Sequence, residues 1–168
     1  MKLLWIAIAF LLAVLPVVCG RSAAEVPDSI AVKGGTVALQ VHAVGAQIYE
    51  CKVDANGRGA WQFREPIASL FLDGTTVGRH YAGPSWEVQG STIIGKAVGK
   101  APGASAKDIP WLKLEVIDQH GEGPLKGVGT VQRINTEGGN LEGACDKTAD
   151  LRAEPYAADY IFLKKASQ

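Results

Sequence analysis

Gly78-Arg79-His80-Tyr81-Ala82-Gly83-Pro84-Ser85-Trp86-Glu87 brings a histidine, two aromatics, a carboxylate and an arginine around one Gly-Pro corner. His80 is the residue type that serves as a general base or as a donor to a ligand, and Glu87 could orient it or supply an acid. Tyr81 and Trp86 offer flat apolar faces with polar tips, the surfaces that carbohydrate and small-molecule sites use. The competing reading is structural: Gly83-Pro84 makes a tight turn and the aromatics plug the core at its corner. An enzyme built on this run, a hydrolase or lyase, needs His80 and Glu87 in one cleft within hydrogen-bond reach. Burial of His80 against backbone, with Glu87 on the opposite face, would remove that reading.

A second run is Val131-Gln132-Arg133-Ile134-Asn135-Thr136-Glu137-Gly138-Gly139-Asn140. Strand alternation puts Val131, Arg133 and Asn135 on one face and Gln132, Ile134 and Thr136 on the other. If the first face lines a cavity, Arg133 and Asn135 form a convergent reader of an anion or hydroxyl. Otherwise they are an exposed strand arginine and an Asn-rich turn. Other chemistry is poorly served. His42, His80 and His120 stand singly, without HxH or HExxH spacing, so no metal cofactor is expected. No GxSxG elbow is present, and Ser85 simply follows Gly83-Pro84. Gly138-Gly139 opens no helix and meets no Lys-Ser/Thr pair, which excludes a phosphate loop and nucleotide binding.

The elements that must position these residues read as short strands. Thr36–Val44 alternates at period two, and Gly45 separates it from Gln47–Val53, where Gln47, Tyr49, Cys51 and Val53 share a face. Asn56-Gly57 is a hairpin signal returning the chain to Trp61–Arg64. Ile67–Leu72 and Thr75–Tyr81 flank Asp73-Gly74, and Ser85–Val88 and Thr92–Lys100 flank Gln89-Gly90. Trp111–Asp118, with Trp111 capping a core strand, Val128–Thr136 and Ala157–Lys164 complete the set. Glu25–Ile30 reads as an extended lead-in, Ala101–Asp108 as a loop with a helical turn near Lys107, and Lys147–Leu151 as a short helix. About ten short strands with little helix predict an all-β, single-domain antiparallel β-sandwich or barrel.

The N-terminus gives an address. Met1-Lys2, the apolar run Leu3–Val18 and the small residues Ser22-Ala23-Ala24 form the three regions of a secretory signal peptide, residues 1–24. Lipidation at Cys19 is disfavoured, because Pro16 and Val18 occupy places where lipidating enzymes want Leu and a small residue. The apolar run is also shorter than the roughly 20 residues of a stable membrane anchor. Removal after Ala24 takes two of the 17 basic residues and none of the 17 acidic ones, leaving a mature domain, residues 25–168, with a formal charge of −2. No basic excess points to nucleic acid, and the mature chain holds no span for a membrane. Secretion or a periplasmic location follows. Only Cys51 and Cys145 then remain, and an oxidising compartment allows them one intramolecular pairing. That crosslink closes a loop of about 95 residues, for which the chain-entropy treatment gives about 4.6 kcal/mol. Free thiols available for metal or redox chemistry are the alternative, but neither cysteine has a CxxC partner or a neighbouring histidine.

His42-Ala43-Val44-Gly45-Ala46-Gln47-Ile48-Tyr49-Glu50-Cys51, His80-Tyr81-Ala82-Gly83-Pro84-Ser85-Trp86-Glu87, Ile109-Pro110-Trp111-Leu112 and the run Val131–Gly139 stand in a recognisable order. With Cys145 and Tyr156-Ala157-Ala158-Asp159-Tyr160, they resemble the secreted family called Domain of Unknown Function 3455, over roughly Pro27 to Leu163. The resemblance implies a secreted or envelope protein of bacteria or fungi and brings no activity or cofactor with it. Both cysteines fall within its motifs. The malate dehydrogenase label of some fungal relatives would require a βαβ unit with a Gly-rich turn, which this chain lacks.

The function expected from these readings is noncatalytic binding of a small molecule, glycan or envelope component through His80, Tyr81, Trp86, Glu87, Arg133 and Asn135. The hydrolase or lyase is the alternative. A structural or interaction module is the third reading, favoured by a large exposed apolar patch without a pocket.

Overall fold

The computed structural model describes residues 25–165. The expected signal peptide, with Cys19, lies outside them. Nine strands follow a short 3-10 turn at Asp28–Ile30: β1 Thr36–Val53, β2 Gly59–Leu72, β3 Thr75–Tyr81, β4 Ser85–Val88, β5 Ser91–Ala101, β6 Trp111–Gly121, β7 Val128–Gly138, β8 Ala144–Cys145 and β9 Leu151–Lys164. All belong to one antiparallel sheet in the order β1-β9-β7-β6-β5-β4-β3-β2-β8, and β1 also pairs with β2. That last pairing turns the sheet back on itself as a ring, with β8 appended to the far end of β2. Among the described residues no helix is long and apolar enough to cross a membrane.

The expected hairpins form. Asp73-Gly74 and Gln89-Gly90 have positive φ at both positions, the requirement of the two-residue turn whose twist suits antiparallel strands. Asp54 Oδ1 accepts from the backbone N–H of Asn56 and of Arg58, each at 2.9 Å, which closes the β1–β2 turn around Gly57. Gly57 and Gly74 sit at φ +77° and +78° with open space where a Cβ would project. Replacing either by Ala is therefore expected to cost about 1 kcal/mol, from left-handed backbone strain alone, as a modest drop in urea midpoint.

Two boundaries differ from the sequence reading. Gly45 does not divide two strands; β1 runs through it for 18 residues. A Cβ there would lie 2.0 Å from the Ile67 carbonyl oxygen, so this glycine marks close approach of β1 and β2. The segments 61–64 and 67–72 likewise merge through Pro66, which pairs with Gln47 where β2 has no strand on its other side. Proline is tolerated there because no ladder bond is lost. These two mergers reduce the ten expected strands to eight, and the short β8, which the sequence reading did not anticipate, makes nine. The segment 147–151 is not helical: it makes a turn with Ala149 at positive φ and then enters β9. The segment 25–30 is not simply extended. Its 3-10 turn seats Ile30 against Ala101, Trp111 and Ile134 on the outside of the ring, and Gln132 Nε2 donates to the Ile30 carbonyl at 2.7 Å. Trp111 is a core residue as expected, in this outer cluster.

The main core fills the ring. Val41, Ala43, Ala68, Leu70, Trp86, Val88, Ile93, Leu114, Val131, Tyr156, Ala158, Tyr160 and Phe162 come from every strand except β3 and β8, and β3 packs the partly buried Val77 against them. Along β9 the inward phase reads Tyr156, Ala158, Tyr160, Phe162. The interior thus grades from polar-tipped aromatics at one end to aliphatic packing at the other. Outside it, Cys51 and Cys145 are bonded, with their Cα atoms 5.9 Å apart, tying β8 to β1.

Candidate functional site

The β3–β4 register pairs His80 with Trp86 and Arg79 with Glu87. Neighbouring residues on a strand face opposite ways, so this register divides the first motif between the two faces of the sheet. His80 and Trp86 point inward and are 2% and 1% exposed. Their rings stack at 4.6 Å with a 10° interplanar angle, and Tyr160 meets both edge-on at 5.0 and 5.4 Å. Glu87 points outward and accepts from Arg79 at 2.7 and 3.1 Å, while the Arg79 guanidinium lies over the Tyr81 ring at 4.9 Å. His80 and Glu87 do not share a cleft. The condition for acid–base catalysis by this pair is not met.

His80 Nδ1 donates to the Ser85 carbonyl at 2.8 Å. A carbonyl only accepts, so Nδ1 carries the proton and the neutral ring keeps Nε2 as an acceptor. Burial, with a smaller contribution from the Arg133 charge, pushes the imidazole down to about 4, against a partial opposing effect of the Ser85 bond. His80 is a neutral interior ring at physiological pH.

Three residues absent from the sequence expectation join it. Tyr156 and Tyr160 project inward from β9, and Gln47, 2% exposed, projects inward from β1. Burial raises both phenols well above the usual tyrosine range, and Arg133 opposes that rise in each. Arg133 stands directly across from Tyr160 in the β7–β9 ladder. Its Nε and an Nη donate to the Pro110 carbonyl at 3.1 and 2.8 Å. Gly139, at φ +83°, closes the ring at this end: a Cβ there would lie 2.8 Å from Tyr156 and 3.1 Å from Gln47. Gln47 Nε2, Trp86 Nε1, Tyr156 Oη and Tyr160 Oη are all buried without a well-formed hydrogen bond among the described residues, although Gln47 and Tyr160 lie near enough to the Tyr156 hydroxyl, and Arg133 to that of Tyr160, to act on them as weak partners. Each such group costs about 1–3 kcal/mol while it stays unpaired.

The structure thus gathers His80, Trp86 and Arg133 and separates the other candidates. Tyr81 and Glu87 lie on the outer face with Arg79. Asn135 sits where the β7–β9 register shifts, at φ +50°, which carries it out of phase with Arg133. Its Nδ2 donates to Asp159 at 2.8 Å, and Asp159 also meets His42 Nδ1 at 2.9 Å, all on the outer face. No convergent Arg133–Asn135 reader forms. The signal for the missed residues was present in the sequence: Tyr156, Ala158, Tyr160 and Phe162 share one strand phase, and Gln47 shares the phase of Tyr49 and Cys51. A surface cleft of about 270 Å³ lies beside Pro110, with Lys100, Asp108, Asn140 and Glu142 on its walls. Asp108 is committed to the loop itself, accepting from Gly138 N, Ser105 N and Ser105 Oγ at 2.6–2.9 Å. Among the described residues no three His, Cys, Asp or Glu side chains gather as a metal site.

No curated protein and no solved structure matches this chain. Residues 32–164, however, match the family described as "Protein of unknown function (DUF3455)". That match takes in all nine strands, the disulfide and the polar end of the ring interior. The chain belongs to the DUF3455 family.

Proposed function

We propose that this protein is an exported, noncatalytic binding domain that takes a small polar molecule at the polar end of its ring interior. The observation that carries the reading is the convergence of unpartnered buried groups: Gln47 Nε2, Trp86 Nε1, Tyr156 Oη and Tyr160 Oη. Stacked aromatic faces with a few hydrogen-bonding tips are what a small-molecule site needs for affinity and orientation. A molecule that satisfies these groups offsets a standing cost of the fold, so its binding stabilises the domain by mass action. Arg133, half-buried where the others are buried, connects the cluster to the surface beside Pro110. Export through residues 1–24 to an oxidising compartment belongs to the same reading and agrees with the Cys51–Cys145 bond.

A thermal-shift panel of neutral sugars, uronic acids, amino acids and small carboxylic acids on the mature chain tests this. At least one class should raise the melting temperature, and Tyr160→Phe should weaken its binding roughly tenfold by removing one hydrogen bond to the ligand. Equal binding by the wild type and Tyr160→Phe would place the ligand elsewhere.

A further inference from the structure

We infer that the molecule taken at this end of the ring carries a carboxylate or an equivalent small anionic group, held by Arg133 with the Tyr160 and Tyr156 hydroxyls behind it. The inference rests on the binding reading above and names its ligand class. The unpartnered amide and indole nitrogens, Gln47 Nε2 and Trp86 Nε1, only donate. The two phenols can donate as well as accept. Against them stand His80 Nε2, Gln47 Oε1 and the phenol oxygens, acceptors that carry no charge. A ligand group with anionic acceptors makes stronger bonds to these donors than the neutral acceptors around them do.

Charge points the same way. Arg133 is inward on β7, opposite Tyr160, and the described residues form nine ion pairs, none of which includes it. Its bonds go to a neutral carbonyl, that of Pro110. A partly desolvated guanidinium without a carboxylate is costly to keep, and its planar fork suits a carboxylate better than any neutral group. The nearby acids do not serve: Asp108 is saturated by loop donors, and Glu142 is turned to Asn140 at 3.5 Å. Selectivity for an anion is the chemical consequence.

Calorimetric titration of the mature chain with matched pairs, glucuronate against glucose and benzoate against benzamide, decides the matter. The carboxylate of at least one pair should bind roughly tenfold or more tightly than its neutral partner, as a charge-assisted bond requires. Arg133→Gln should erase that preference, and Arg133→Lys should keep part of it. If the neutral member binds equally well and Tyr160→Phe weakens it, the anion inference is overturned while the binding reading stands. If no member of either pair binds, both are overturned. The comparison on wild-type protein is decisive even where an Arg133 variant does not fold.

Discussion

Loss of the Cys51–Cys145 bond should lower the stability of the mature domain by about 4.6 kcal/mol, most of it through the unfolded chain. The bond joins residues 94 apart in sequence. The loop it closes contains β2 through β7, so the oxidised unfolded chain loses much of its freedom before folding begins. A domain of this size has a total stability of only about 5–15 kcal/mol, so the reduced protein is left near its folding threshold. Locally the bond fixes β8, whose two residues have only a short ladder to Gly59 and Ala60 to hold them. Urea denaturation of the oxidised protein and of the Cys51→Ala/Cys145→Ala double variant measures the difference. A lower midpoint with a steeper slope is expected, because the uncrosslinked unfolded state exposes more surface. An unchanged midpoint would mean that the crosslink contributes only local geometry.

Acidification should destabilise the domain through His80 in a window that the carboxylates do not share. The folded imidazole titrates at about 4, below its ordinary 6.5. Between those values the unfolded chain binds a proton that the folded chain refuses, so stability falls as pH falls. The contribution is fully present above pH 6.5 and is lost by the time pH reaches about 4; the shift corresponds to on the order of 3 kcal/mol. The groups facing the ring explain the direction: Trp86 and Tyr160 desolvate it, Arg133 repels its charge, and no carboxylate touches it. Glu50, Asp54 and Asp108 are held below the usual carboxylate range by Lys52, by the Arg58 and Asn56 amides, and by Gly138 and Ser105 respectively. Their share of stability is lost at still lower pH. Urea midpoints at about pH 7 and pH 5, compared between wild type and His80→Gln, separate the two effects. The wild type should lose stability across that interval and the variant should lose little. Parallel losses would assign the acid sensitivity to another group.

The hairpins were legible because Asn-Gly, Asp-Gly and Gln-Gly have a single favourable use between alternating strands. The continuity of β1 and β2 was not. Gly45 and Pro66 read locally as breaks, and only the cross-strand partner shows that one permits a close approach and the other lies on an unpaired stretch. The candidate site divides along the same line. Spacing placed His80, Trp86 and Arg133 among chemically able residues, but a cluster ten residues long on a hairpin cannot all face one way. Alternation sends Glu87 and Tyr81 outside, and the β7 shift sends Asn135 after them. Tyr160 reaches His80 across the ring, a relation set by its closure and not by any local pattern.

The protein's own groups leave the polar end of the interior short of well-formed hydrogen bonds. Equilibrium unfolding of ligand-free Tyr160→Phe tests it most directly. Deleting a buried hydroxyl that has no partner should raise stability by about 1 kcal/mol, even as the same change weakens ligand binding, the usual opposition between stability and function at a built site. A fall of about 1 kcal/mol would show that the hydroxyl is already satisfied within the fold, and would contradict the account.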